Sequence, residues 1–358
     1  MDEVTAPPAA LADLKARVDT ALEQRLAAPL ARLTDASEVL LPVAEELEAF
    51  TAEGKRIRPA LLLLGYQAAG ATNLDAVTGP ALALELLHTC ALMHDDVIDR
   101  AATRRSRPTV HVRFADQHRT AGWGGDPNNY GEAMAILIGD LAFVHADEFF
   151  LTAEVASEAL LAAFRRFTEL REEVMVGQTL DLHAATSRTT NRELALTVAT
   201  LKSGRYSVAR PLEIGALLAG AGEALVRGLG AFGDPLGRAF QVRDDLLGVF
   251  GDDATTGKSS ASDLSEGKRT LLIAEAYARA DEGARGLLDR HLGDTELTEA
   301  QASQLREIID ACGARAAAEE YVASSIDEAR RHLATLDVPD AVGATLDHIA
   351  VWIGGRRS

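Results

Sequence analysis

Apolar positions recur at three-and-four spacing along most of the chain. The runs are Leu11–Leu33, Ala60–Ala69, Ala81–Ile98, Ala133–Phe150, Val155–Leu182, Leu194–Leu218, Leu236–Phe250, Leu271–Ala280 and Gln304–Leu333. This is the period of a helix with one buried stripe. Alanine and leucine dominate, and no sustained period-two alternation of β-branched residues appears, so the expected class is all-α. Ala121-Gly122-Trp123-Gly124-Gly125-Asp126-Pro127 and Gly251-Asp252-Asp253-Ala254-Thr255-Thr256-Gly257 read as loops. No linker-like or repetitive segment divides the 358 residues. A single helical-bundle domain over 1–358 is therefore expected, with its polar motifs on facing helices.

Two aspartate pairs sit on this apolar background. The first is Leu92-Met93-His94-Asp95-Asp96-Val97-Ile98-Asp99, followed by Arg104 and Arg105. The second is Gln241-Val242-Arg243-Asp244-Asp245-Leu246-Leu247-Gly248, followed by Lys258 and Lys268. Adjacent carboxylates repel, and burying them costs several kcal/mol without a compensating cation. Asp95 and Asp99 are four apart and share a helix face, with Asp96 beside them. Carboxylate-only clusters suit Mg²⁺ or Ca²⁺ rather than zinc, and the neighbouring basic residues point to a phosphate ligand. The plain alternative for either pair is a solvated acidic helix end. Placement of both within apolar runs, Ala81–Met93 and Leu246–Phe250, counts against it.

Composition narrows the partners. Hydrophobic residues are 47% and charged residues 25%, an ordinary globular balance, with a net charge of −18. That charge argues against nucleic acid or an anionic membrane surface. It also makes local basic clusters more informative. The two cysteines, Cys90 and Cys312, offer no disulfide framework and fit a reducing cytosol. Met1-Asp2-Glu3-Val4 does not read as a signal peptide. The longest charge-free apolar stretch, from Pro59, is too short to span a bilayer.

Smaller motifs add candidates. Gly54-Lys55-Arg56-Ile57-Arg58-Pro59 precedes an apolar helix whose first turn suits Pro59. Its backbone amides, with Lys55 and Arg58, would make an anion site; a solvated basic loop is the alternative. Arg104 and Arg105 suit bidentate diphosphate recognition, unless they pair with the aspartates themselves. His88 lies two turns before Asp95, where a satisfied core histidine is the commoner reading. Gln178 and Asp181 are one turn apart, and Lys202-Ser203-Gly204 places a cation and a hydroxyl on the following helix. Gly257-Lys258 and Gly267-Lys268 lack the strand and glycine spacing of a P-loop.

Taken in order, Gly-Lys-x-x-Arg-Pro, Glu-Leu-Leu-His, His-Asp-Asp-x-x-Asp, Arg-Arg-x-x-Pro-Thr, Gly-Gln-x-x-Asp-Leu, Lys-Ser-Gly, Gln-x-x-Asp-Asp and Gly-Lys…Gly-Lys resemble the trans-polyprenyl diphosphate synthases, the farnesyl and geranylgeranyl diphosphate synthase family. The match runs from about Gly54 to Thr270. The resemblance implies an isoprenoid-synthase helical bundle around a central cavity, cytoplasmic, usually a homodimer, working with roughly three Mg²⁺ ions per active site. It implies that Asp95, Asp96 and Asp99 bind Mg²⁺ on the allylic diphosphate, with Asp244 and Asp245 binding a further ion. Arg104, Lys202 and Lys258 would contact that diphosphate, with Lys268 nearby. Lys55, Arg58, His88 and Arg105 would hold isopentenyl diphosphate, and Gln178, Ser203 and Gln241 would lie along the reacting chain.

Three positions depart from the family pattern. Gly248 stands where many members have a third aspartate, with Asp252 and Asp253 as candidate substitutes. Ser203 replaces the commoner threonine, and Ser106-Arg107 replaces Gly-Lys. Residues one turn before the first aspartates, Cys90 and Ala91, are small where short-product members carry aromatics; Leu87 and Leu84 lie further along the same face. A helical turn is about 5.4 Å, roughly one isoprene unit, so a C20 product, geranylgeranyl diphosphate, is expected over farnesyl or a longer chain. A class I terpene cyclase would need an Asn/Asp-Asp-x-x-Ser-x-x-x-Glu second site, absent between Asp244 and Asp252. A non-catalytic subunit of a heteromeric synthase would lose an aspartate motif, whereas the first is whole here.

Overall fold

The computed structural model describes residues 8–105, 107–251 and 262–355. In order, α1 is Ala9–Ala36, α2 Leu41–Thr51, α3 Ile57–Ala68, α4 Thr78–Ile98, α5 Val110–Ala121, α6 Pro127–Phe150, α7 Ser157–Ser187 and α8 Arg192–Val198. A π-helix, Ala199–Ala209, leads into α9 Arg210–Leu218 and then α10 Glu223–Phe250. Further helices span Ser262–Ser265, Leu271–Arg279, Glu282–His291, Glu299–Ala311, Ala314–Leu333 and Asp340–Gly355. Among the described residues the one sheet is a hairpin of β1 Thr103–Arg104 and β2 Arg107–Pro108. The all-α expectation holds.

Local chemistry sets the helix ends. Asp126 caps α6 by accepting from Asn128 N–H, with Pro127 in the first turn. Gly122, at φ 65°, closes α5 in the left-handed conformation. Gly313, at φ 80°, breaks the expected run Gln304–Leu333 into two helices. Periodicity missed α2, α5, Glu282–His291 and Asp340–Gly355, which are short or rich in polar and glycine residues.

The chain forms two compact units. One comprises Ala9–Leu63 and Ala71–Leu160, and there α4 packs along α6, which also carries α5. Leu82, Leu84, Leu86, Met93, Ile138 and Phe150 are fully buried in it. Leu74–Ile98 is long and apolar enough to cross a membrane, with mean hydropathy 1.4, but 83% of that window is buried inside the protein. The length is therefore that of a core helix. The other unit includes Leu64–Gly70 and Leu161 onward, and there α10 packs against the π-helix and Ala314–Leu333. Glycines set its closest approaches: a Cβ at Gly177 would lie 2.6 Å from Lys202 Cα, and one at Gly237 2.6 Å from Gly204 Cα.

Candidate active site

The first aspartate motif ends α4. Asp99 caps that helix, its N–H donating to Asp95 O at 2.8 Å. The Asp96 side chain is only 2% exposed, and Arg104, on β1, neutralises it. Arg104 Nε donates to both Asp96 oxygens at 2.8 and 2.9 Å, and Nη2 lies 2.7 Å from Oδ1. Nη2 also lies 3.7 Å from Asp95 Oδ2, whose side chain is 23% exposed. Burial works against the Arg104 charge, but Asp96, Asp95 and Asp99 hold its pKa above the ordinary value. The pairing of Arg104 with an aspartate, one of the two readings of its sequence, is thus present.

The basic loop before α3 is anchored by a residue to which the sequence reading assigned no role. Arg56 is buried, its side chain 1% exposed. It donates to Asp19 at 2.8 Å, Glu85 at 2.6 Å, Glu53 O at 3.2 Å and Thr51 O at 2.5 Å. Glu85, in the Glu-Leu-Leu-His motif, is a buried carboxylate on an apolar helix; that was the available signal for a cationic partner. The anchored loop presents Lys55 to solvent and leaves Arg58 half-buried.

His88 joins this cluster. Burial, then Arg58, Arg104, Arg105 and Arg56, push its imidazole well below the ordinary range, so it is neutral at pH 7. Arg105 Nη1 donates to Glu53 O at 2.9 Å, and its guanidinium stands 6.0 Å from the Phe50 ring centroid. Arg56 and Arg105 both hold φ 51°, an unfavourable backbone region for arginine. A small, open cleft lies here, lined by Glu46, Phe50, Glu53, Arg104, Arg105 and Thr109 among others.

Along α4 the residues before the aspartates behave differently from one another. Cys90 and Leu87 are buried, while Ala91 is half-buried. Burial and Asp140 push the Cys90 thiol up to about 12, and its Sγ lies 3.8 Å from His94 Nδ1. His94 Nε2 is in turn 3.1 Å from Ile136 O on α6, over Gly139.

In the other unit, Lys202 Nζ donates to Asp181 Oδ2 at 2.6 Å, joining the Gly-Gln-x-x-Asp and Lys-Ser-Gly motifs. Lys202 and the buried Ser203 stand on the π-helix rather than a regular one; such windings recur at functional sites. Gln178, in the first of these motifs, lies on α7 and is half-buried. On α10, Gln241 Nε2 donates to Asp245 Oδ1 at 2.7 Å. Burial, then Asp263, then Asp244 push the Asp245 carboxyl up to about 8, against the lowering effects of Gln241 and Lys268. Lys268 donates to Asp263 Oδ1 at 2.8 Å and lies 2.7 Å from Glu266. Asp263 was not singled out from sequence. Lys258, Asp252, Asp253 and Ser106 lie outside the described residues.

The donors suit a hard cation. Among the described residues no three His, Cys, Asp or Glu side chains form a ready metal cage. Mg²⁺ needs none, since it binds through one or two carboxylates plus phosphate oxygens and water. A carboxyl pushed up by burial and then by its acidic neighbours, as Asp245 is, is one that a cation would ionise. Asp95, Asp96 and Asp99 are the carboxylates of one unit that suit such a cation, and Asp244 and Asp245, taken by themselves, are those of the other.

Comparison with known proteins agrees with these motifs. The family model "Polyprenyl synthetase" matches residues 42–309. A (2E,6E)-farnesyl diphosphate synthase of Mycobacterium tuberculosis is 34% identical over 312 residues, 85% of this chain and 80% of the relative. A geranylgeranyl diphosphate synthase of Methanosarcina mazei is 33% identical over 315 residues, covering 85% and 89%. The crystal structure of a geranylgeranyl pyrophosphate synthase from Corynebacterium glutamicum, complexed with isoprenyl diphosphate and magnesium, superposes with a TM-score of 0.91 at 36% identity, covering 95% of this chain and 98% of that one. With a family model matching well over half its length, and relatives of this identity and coverage, the chain belongs to the polyprenyl synthetase family and is a trans-prenyltransferase.

Proposed function

We propose that the protein condenses isopentenyl diphosphate head-to-tail with an allylic diphosphate and releases geranylgeranyl diphosphate, C20, as its main product. The observation that carries the reaction is the Asp96–Arg104 pair set beside Asp95, with the Arg58–His88–Arg105 cluster in the same unit. Two kinds of anion-binding chemistry stand side by side there. Bound Mg²⁺, roughly three ions per active site, supplies charge neutralisation of the leaving diphosphate.

Asp95, Asp96 and Asp99 would hold Mg²⁺ on the allylic diphosphate, while Arg104, Lys202 and Lys258 contact that diphosphate, with Lys268 nearby. Lys55, Arg58 and Arg105 hold the second diphosphate, and neutral His88 donates or accepts a hydrogen bond there. The allylic C–O bond breaks with its electron pair leaving on diphosphate. The double bond of isopentenyl diphosphate then forms the new C–C bond, and a proton passes to the released diphosphate. Gln178, Ser203 and Gln241 line the reacting chain. Apolar side chains exclude water from the carbocation.

The C20 reading rests on small Cys90 and Ala91 one turn before the aspartates, with bulkier Leu87 beyond. The 34% identical farnesyl diphosphate synthase favours C15 as a second reading. Labelled isopentenyl diphosphate should be given with dimethylallyl, geranyl or farnesyl diphosphate, with Mg²⁺ or chelator, and the dephosphorylated products sized. Mg²⁺-dependent C20 is expected. A main C15 product transfers the reading to farnesyl diphosphate; no incorporation overturns both.

We propose a cytoplasmic homodimer. Leu137 and Val144 on α6 and Leu151 at its C-cap are 57%, 60% and 58% exposed and spaced seven apart, an apolar stripe suited to a second copy. Sedimentation equilibrium at the mass of two chains is expected, and a monomer would refute it.

A further inference from the structure

The second aspartate motif carries Gly248 where many of its family have a third aspartate. The structure shows what Gly248 makes room for. A Cβ added there would fall within the van der Waals envelope of Asp263 Oδ2 and 2.8 Å from Asp263 Cγ. Gly248 follows Asp244 by four residues and Asp245 by three, so all three share one face of α10. The Asp263 carboxylate therefore stands where a side chain at 248 would begin.

The two oxygens of Asp263 face different ways. Oδ1 accepts from Lys268 Nζ at 2.8 Å, while Oδ2 is the atom turned to Gly248. Lys268 fixes the orientation of the carboxylate and leaves one oxygen on the Asp244–Asp245 face. We infer that Asp263, reaching from outside α10 into the place that Gly248 leaves open, joins Asp244 and Asp245 as a third carboxylate when a cation binds, the three forming no ready cage without it. Glycine at 248 is then a requirement of this arrangement rather than a loss: a side chain there and the Asp263 carboxylate exclude one another. The inference rests on the proposal that Asp244 and Asp245 bind Mg²⁺.

The test uses the whole protein with inorganic diphosphate and reads binding rather than turnover. Mn²⁺, as a paramagnetic stand-in for Mg²⁺, is titrated by electron paramagnetic resonance, and Mg²⁺ by the rise in melting temperature. Asp263→Asn should weaken the second metal class by roughly tenfold or more. Gly248→Ala, which changes no charge but displaces the carboxylate, should weaken it in the same direction. Glu266→Gln, which removes the other acidic partner of Lys268, should leave it unchanged. The swapped pair Gly248→Asp with Asp263→Gly should recover most of the affinity.

Unchanged metal binding in both Asp263→Asn and Gly248→Ala overturns the inference, as does equal weakening by Glu266→Gln. Asp244→Asn and Asp245→Asn separate the two levels. If they lower metal binding while Asp263→Asn does not, only the role of Asp263 falls; if they too leave it unchanged, the second metal site itself falls. Should Asp263→Asn not fold, Gly248→Ala and the swapped pair decide.

Discussion

Arg104 grips both oxygens of the buried Asp96 carboxylate, at 2.8 and 2.9 Å from Nε, and leaves the neighbouring Asp95 at 3.7 Å with part of its side chain in solvent. Adjacent aspartates thus stand in different environments: one buried and locked to a guanidinium, one partly exposed and farther from it. Asp95→Ala and Asp96→Ala should each lower turnover at least about a hundredfold, because each removes charge that matters most as the diphosphate leaves. Asp96→Ala should also lower the melting temperature, since Arg104 keeps its burial and loses its partner. Asp95→Ala should leave folding nearly intact. Steady-state kinetics and thermal melting of both variants check this; a near-normal rate in Asp96→Ala would refute the metal assignment.

Arg104 and Arg105 are neighbours in sequence with different surroundings: Asp96 for the first, the Glu53 carbonyl and the Phe50 ring for the second. Arg105→Ala should raise KM for isopentenyl diphosphate by about tenfold or more, while Arg104→Ala should act mainly on the allylic substrate. Michaelis constants for both substrates decide; equal effects would mean one shared field.

The Arg56–Glu85 pair is buried on both sides, 1% and 7% exposed, at 2.6 Å. Breaking such a pair from one side costs about 3–5 kcal/mol. Glu85→Gln should therefore lower the urea midpoint substantially and raise KM for isopentenyl diphosphate, because Arg56 holds the loop carrying Lys55 and Arg58. A stability change below about 1 kcal/mol would contradict the burial of the pair.

Asp245, held up to about 8 by burial, Asp263 and Asp244, sets a pH dependence. Its folded pKa is raised above the ordinary carboxylate value. The stability it contributes is therefore fully present below about pH 4 and is lost as pH rises through about 8. In chelator, the urea midpoint of the protein should fall between pH 5 and 8 more steeply than that of Asp245→Asn. A cation must displace this proton, so Mg²⁺ affinity should rise over the same interval and level off above it. Parallel pH profiles for the two proteins would refute the shift.

Product length tests the floor of the chain-binding path. If the growing chain runs past half-buried Ala91, Ala91→Phe should shift the main product from C20 to C15 while turnover persists. An active Ala91→Phe enzyme with unchanged products would place the floor elsewhere. Cys90 is the less suitable site for this change, because it is buried beside His94, which itself bonds Ile136 O of α6.

Much of this protein is determined by its sequence alone. Three-and-four spacing places α1, α4, α6, α7 and α10 because a helix that buries one stripe must repeat its apolar residues at that period. Asp95, Asp96 and Asp99 on the end of α4, and the basic residues after them, are legible because both motifs are local in the chain. The joining of Lys202 to Asp181, 21 positions apart, was foreshadowed only as two adjacent motifs.

What tertiary structure decided involves partners that no local pattern specifies. Arg56 meets Asp19 and Glu85, 37 and 29 positions away, and sequence marks only that Glu85 is a charge on an apolar helix. The π-helical winding at Lys202-Ser203 lies against close backbone approaches at Gly177 and Gly237, contacts that a helical periodicity does not register. Gly248 read as a missing ligand because sequence counts carboxylates along one helix. A binding site counts them in space, and there Asp263, from a later segment of the chain, stands beside Gly248.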